Sequence, residues 1–157
     1  MAAKPDHGGT PRSAQGITIA EVSGGESTNP LSRSKVANDQ LTIAREASLA
    51  EAGYLSRDPA TASMSLTVTL VELTAPRGRW TFSVSSLLRY RLRVLADGRV
   101  AYDDTIRAEG RAGVSDAVLG VKRVRRANET SIRQNIAAFL SRLPEALTRA
   151  ARPSRRG

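Results

Sequence analysis

The chain has 157 residues, no cysteine, one histidine and a formal net charge of +9 at pH 7. That length suits a single domain, able to bury roughly two-thirds of the surface its unfolded chain exposes. The missing thiols exclude disulfides, thiol nucleophiles and zinc–thiolate sites. His7 stands in a segment without hydrophobic periodicity, so the folded part has no histidine for metal or acid–base work.

Residues 1–16, MAAKPDHGGTPRSAQG, are small, polar and turn-forming, and residues 147–157 hold four arginines and no acid. Neither stretch has the apolar area to offset its ordering entropy, so both read as tails around one domain spanning 17–146. No apolar run approaches the ~18 residues that span a bilayer. The N-terminus has neither the charged-then-apolar layout of a signal peptide nor a cysteine to lipidate. If Met1 is the genuine start, the expected location is cytoplasmic.

ITIAEVSGG (17–25) reads as a strand entering a glycine loop. A helix follows from an N-cap near Ser34, with Ala37, Leu41, Ala44, Ser48 and Ala52 along one face. The Ser48 hydroxyl can bond back to the Ala44 carbonyl. Gly53 ends this helix, with Tyr54 and Leu55 folding over its last turn. In SMSLTVTLVELTAP (63–76), Met64, Leu66, Val68 and Leu70 alternate with Ser and Thr, and the slip at Leu70–Val71 predicts a bulge.

The next stretch carries the clearest parity. Trp80, Phe82, Val84, Leu88, Tyr90, Leu92 and Val94 are even-numbered, whereas Arg89, Arg91 and Arg93 are odd. After Ala96, Asp97 and Gly98, the pattern resumes with Val100, Tyr102 and Ile106 on even numbers. A three-residue loop with Gly98 left-handed keeps both faces pure, pairing Leu92 with Tyr102, Leu88 with Ile106 and Arg91 with Asp103. The final helix, 115–143, starts at Ser115 and Asp116 and lines one face with Val121, Val124, Asn128, Ile132, Ile136, Phe139 and Leu143. Pro144 is expected to stop or kink it. The result is an α+β two-layer sandwich, β-α-β-β-β-α, with two helices on one face of a mainly antiparallel four-stranded sheet.

The charge is lopsided: 12 basic against 11 acidic residues up to 106, then 12 against 4 from 107 onward, a balance of +8. Two patches are candidate anion- or partner-binding sites. One is the arginine ladder Arg89, Arg91 and Arg93, on what reads as the solvent face of the sheet. The other is Lys122, Arg123, Arg125 and Arg126 in VKRVRRANE, four cations within one and a half turns. SGGESTNP (23–30) lacks the glycine spacings of phosphate-binding loops and reads as a plain connection. Asp103 and Asp104 point to opposite faces of a strand and cannot act as a carboxylate pair. Asp104 falls on the apolar side opposite Tyr90, whose hydroxyl can satisfy it, and Asn128 reads as a buried polar anchor. No residues form a catalytic constellation, and no cofactor or metal site is expected.

These segments together resemble a group of small outer-membrane lipoproteins of Gram-negative bacteria. The group is alphaproteobacterial in type, mostly of unknown function and broadly similar in layout to the lipopolysaccharide-assembly lipoproteins. The resemblance covers about residues 17 to 143 and rests on SGGESTNP, ANDQLTIAREASLAEAGYL, RYRLRV with GRVAYDDTI and, most specifically, RRANETSIRQNIAAFL. It implies a non-catalytic structural or adaptor domain on the periplasmic side of the outer membrane, with an envelope protein or anionic lipid head groups as partner. The alternative from charge alone is a cytosolic protein binding nucleic acid nonspecifically through residues 107–157. The chain departs from the lipoprotein pattern in lacking the signal peptide and lipidated cysteine.

Overall fold

The computed structural model describes residues 16–24, 44–74, 81–113 and 120–152. Strands β1 (Ile17–Gly24), β2 (Met64–Leu73), β3 (Phe82–Val94) and β4 (Val100–Ala112) form one sheet in the order β1-β2-β3-β4. Helix α1, described over residues 44–51, precedes β2, and α2 (Gly120–Ala151) follows β4. β1 runs parallel to β2 and the other pairs are antiparallel. This is the expected two-layer α+β sandwich. It also fixes what parity left open: β1 is an edge strand, and β4 is the other edge.

Alternation dictates the core. Met64, Leu66, Val68, Val84, Leu88, Tyr90, Leu92 and Ile106 are buried on the helix-covered face. Each fully buried aliphatic side chain contributes roughly 1.5–3 kcal/mol. Tyr90 stacks on Phe139 of α2, with ring centroids 4.3 Å apart. The register pairs Leu92 with Tyr102, Leu88 with Ile106 and Arg91 with Asp103, as the parity requires. The pairing of β2 with β3 slips between Leu70 and Glu72, at the expected bulge. Gly98 has φ +71° and Gly53 φ +76°. Behind Gly53, the amides of Tyr54 and Leu55 both reach the Leu49 carbonyl, and Ser48 Oγ donates to the Ala44 carbonyl at 2.7 Å.

Four expectations need correction. Val100 does not continue the buried row. The pairing shifts between Leu92–Tyr102 and Arg93–Val100, and Val100 is 45% exposed. In α1 the buried side chains are Arg45 and Leu49, whereas Ala44, Ser48 and Ala52 are half-buried. Pro144 does not end α2, which runs on to Ala151 and buries Ala146, Leu147 and Ala150. The missing Pro144 amide costs about 3 kcal/mol, and burying that last turn offsets it. Residues 147–151 therefore belong to the folded domain, not to a tail.

The fourth concerns the helix face. Ile136, Phe139 and Leu143 are buried as expected, but over the first half of α2 Ala127, Ser131 and Asn135 are buried while Val124, Asn128 and Ile132 are only half-buried. Gly110 sets this rotation. A Cβ there would lie 2.0 Å from the Ala127 carbonyl oxygen and 2.3 Å from the Ser131 nitrogen. The helix backbone lies directly on β4, and only small side chains fit under it. The Ser34 and Ser115 caps, the side chains of Trp80 and Val121, and residues 25–30 of the glycine loop fall outside the described residues.

Candidate functional site

Both helices cover one face of the sheet, leaving the other open. That open face carries Ser65, Thr67 and Thr69 from β2, Arg89, Arg91 and Arg93 from β3, and Asp103, Thr105 and Arg107 from β4. The ladder is not three free cations. Arg89 donates from Nε and Nη2 to the two Asp103 oxygens at 2.7 and 2.8 Å, and Arg91 Nε donates to the same carboxylate at 3.0 Å. These hydrogen bonds, Arg89 first, hold the Asp103 carboxyl below the usual carboxylate range, and Asp103 in turn raises Arg89. Asp103 is therefore held between two arginines, which favour its carboxylate form. Arg93 is exposed and makes no ion pair among the described residues. Further along, Arg107 of β4 meets Glu72 of β2 at 3.6 Å, bridging the two strands across Leu87 of β3.

The basic cluster of α2 is also partly neutralised. Arg123 lies over the Phe82 ring, 5.1 Å from its centroid, and Arg125 pairs with Glu129 at 3.0 Å. Lys122 and Arg126 are exposed and without an ion pair among the described residues. The structure thus keeps the two candidate patches apart. The ladder lies on the open face, and the cluster begins the helix that covers the other face.

Asp104 corrects another expectation. It accepts from Arg142 Nη1 at 2.8 Å and from the Tyr102 hydroxyl at 3.4 Å, not from Tyr90. Burial raises the Tyr102 phenol, and the hydrogen bond to Tyr102 is the leading cause of a raised Arg142. These three residues, with Val100, Ala101, Glu145 and Arg149, line a shallow open groove of about 440 Å³ between edge strand β4 and α2. Its charges are paired: Arg142 with Asp104, and Arg149 with Glu145. Among the described residues no cluster of His, Cys, Asp and Glu could hold a metal ion.

Tyr90 turns inward. Its hydroxyl donates to Asn135 Oδ1 at 3.0 Å, while Asn135 Nδ2 donates to the carbonyls of Ile106 at 2.7 Å and Ser86 at 3.2 Å. Ser131 Oγ lies 2.7 Å from Ser86 Oγ and donates to the Ala108 carbonyl at 3.0 Å. The buried polar anchor is thus Asn135, one helical row away from Asn128. Burial drives the Tyr90 phenol well up, and also lowers Arg45 to about 10, still cationic at neutral pH. Ser86, a polar residue at an even position, was the sequence signal for this network.

No family model matches the chain, and no curated protein is detectably similar to it. Solved structures do match. A Xanthomonas campestris protein of family DUF330 superposes with a TM-score of 0.69 at 13% identity, over 90% of both chains. The PelC dodecamer of Paraburkholderia phytofirmans gives 0.56 at 15% identity, over 84% of this chain and 88% of that one. A candidate lipoprotein from Caulobacter crescentus gives 0.51 at 14%, over 90% and 94%. At these identities the likeness is one of fold.

Proposed function

We propose that this chain is a non-catalytic module of the cell envelope, facing the periplasm from the outer membrane. Its open sheet face and the basic start of α2 dock an envelope protein or anionic lipid head groups. The observation that carries this reading is the one-sided architecture. Four strands present a wide polar face on which Arg89, Arg91 and Asp103 are locked in fixed geometry, a surface suited to contact. Fold neighbours that include a candidate lipoprotein and a dodecamer fit a scaffold that works by assembly. The carboxylates favour the same view, since both members of the Asp103–Asp104 pair are tied to arginines.

The alternative is a cytosolic protein that binds nucleic acid through residues 107–157, and the +8 balance of that stretch motivates it. Two observations weigh against it. Arg107, Arg111, Arg125, Arg142 and Arg149 are each paired with a carboxylate. The strand aromatics Phe82, Tyr90 and Tyr102 pack against α2 side chains, not on the open face where bases could stack.

The test combines fractionation with crosslinking, using the native gene with its upstream DNA intact. A photocrosslinking residue at Thr67, on the open face, is compared with one at Gln134, exposed on α2. Outer-membrane recovery with a discrete envelope adduct from Thr67 alone is expected. Recovery in the cytosol, unprocessed at Met1 and bound to RNA with a steep salt dependence, would sink the reading in favour of the alternative.

A further inference from the structure

One pole of the sandwich gathers features scattered through the sequence. Ile17 pairs with Met64 and Met64 with Val94, so the chain entry at Gly16, the start of β2 and the β3–β4 turn lie side by side. The amide of Ser63 bonds the Gly16 carbonyl at 2.9 Å, and that of Leu95 bonds the Ser63 carbonyl at 3.0 Å. Arg99 ties the turn to the end of α2, donating from Nη2 to the Ala150 carbonyl at 2.6 Å and from Nη1 to the Arg152 carbonyl at 3.3 Å. The turn is thus held rigid against the helix C-terminus.

This pole carries two of the three exposed large hydrophobic side chains of the described residues, Leu95 at 46% and Val100 at 45%. The third, Val71, sits near the far end of β2. Around the apolar pair stand Arg93, which pairs with Val100 across the strands, and Arg152, exposed just past the end of α2, while Arg149 nearby is held by Glu145. The other basic cluster, Lys122 to Arg126, lies about 35 Å away, since 23 residues at ~1.5 Å each separate Arg126 from Arg149. There the nearby aromatic, Phe82, is covered by Arg123. Among the described residues, the turn pole joins exposed aliphatic groups to two exposed cations without an ion pair, Arg93 and Arg152.

We propose that this pole docks on an anionic bilayer. Leu95 and Val100 enter the interfacial layer, while Arg93 and Arg152 contact lipid phosphates. Two aliphatic side chains give only shallow insertion, so attachment is reversible and depends on the surrounding charge. Juxtamembrane basic residues attract an anionic surface with a strength that makes each arginine worth about fivefold in partitioning at low salt. Docked this way, the strands stand away from the membrane and the open sheet face remains accessible. The inference rests on the envelope reading only for the presence of a bilayer in the protein's surroundings.

The absence of cysteine makes the test clean, because a single introduced thiol takes a fluorophore at one place. The full chain carrying Leu95→Cys, labelled with an environment-sensitive dye, is mixed with vesicles of equal parts phosphatidylglycerol and phosphatidylcholine. A blue shift and intensity gain are expected, with none from dye at Val71→Cys and none on phosphatidylcholine alone. Sedimentation with the same vesicles should weaken about fivefold for each of Arg93→Ser and Arg152→Ser. Arg133→Ser, at an exposed cation midway along α2, should bind as the parent does. All these sites are exposed, and circular dichroism checks that each variant is folded. No binding to the anionic vesicles, an equal dye response at Val71, or loss of binding with Arg133→Ser instead of Arg93→Ser and Arg152→Ser would overturn the proposal. Because vesicles are supplied in vitro, such a failure is separable from a failure of fractionation to place the protein in the envelope.

Discussion

Replacing Asn135 with alanine should be among the costliest single changes in this chain. Asn135 is fully buried and answers three groups at once: the Tyr90 hydroxyl and the carbonyls of Ile106 and Ser86. Truncation strands the Tyr90 hydroxyl, which costs ~1–3 kcal/mol when a buried donor loses its partner. The two carbonyls lose a donor and a small void opens under α2, so the total should come to about 3–4 kcal/mol. For a domain of this size that is a large fraction of a stability of roughly 5–15 kcal/mol. Urea unfolding followed by circular dichroism measures it directly. Asn135→Asp should be worse still, because it keeps the shape but turns a carboxylate toward two carbonyl oxygens. In a double-mutant cycle with Tyr90→Phe, the pair should cost less than the sum of the singles by at least ~1 kcal/mol, since both remove the same bond. A cost for Asn135→Ala below about 1 kcal/mol, or strict additivity with Tyr90→Phe, would refute the claim that this network pins α2 to the sheet.

Three other outcomes follow from local geometry. Gly110→Ala should destabilise by ~3 kcal/mol or more, since its methyl group would meet helix backbone at 2.0 Å; Gly98→Ala, with open space but φ +71°, should cost only ~1 kcal/mol, and Gly98→Asn less. Both are read by thermal or urea melts, and equal costs at the two glycines would be wrong for this structure. Arg99→Ala should remove about 1–2 kcal/mol by uncapping the last carbonyls of α2, with hydrogen exchange accelerated first near Ala150. Asp103→Asn should lower stability slightly at neutral pH. Because the folded state holds this carboxyl below its unfolded value, its contribution is present above about pH 4 and fades as pH falls through the lower folded value. The gap between parent and variant should therefore close in acid, and a gap that persists undiminished there would contradict the Arg89–Asp103–Arg91 assignment.

The sheet was legible because strand parity is binary. Once Leu88, Tyr90 and Leu92 share a face, Arg89, Arg91 and Arg93 have only one other face to occupy, and Gly98 settles the register. Helix faces are harder to read, since adjacent rows blur into one another. The row through Val124, Asn128, Ile132 and Ile136 is the more apolar, and it was the natural choice from composition. That face holds at Ile136, Phe139 and Leu143, but over the first half of the helix the deepest row runs through Ala127, Ser131 and Asn135. What selects it is Gly110, on another element, whose missing side chain lets α2 settle onto β4. No periodicity within the helix carries that information. The same holds for Pro144, a stop signal by local rules that is overridden because Leu147 and Ala150 have a core to enter. Arg45 escaped notice for a related reason: a charged residue beside an alanine row reads as solvent-facing until the packed helix shows otherwise.

The arginine content posed the sharper question, and pairing answers it better than counting does. On the open face the ladder is organised around Asp103, so two of its three cations already have an anion at hydrogen-bond distance. A polyanion approaching Arg89 and Arg91 would have to compete with a bidentate carboxylate whose geometry is already fixed. A partner protein that adds hydrogen bonds around the set, from Thr67 or Thr69 for instance, leaves it intact. Of the twelve cations in the last third, five are held in local pairs along β4 and α2. What those pairs leave for a distant anion lies mainly at the two ends of α2, and only one end also exposes apolar side chains. In this chain net charge is a poor guide to a binding surface, whereas the arrangement of unpaired charge around Leu95 and Val100 is specific enough to be tested.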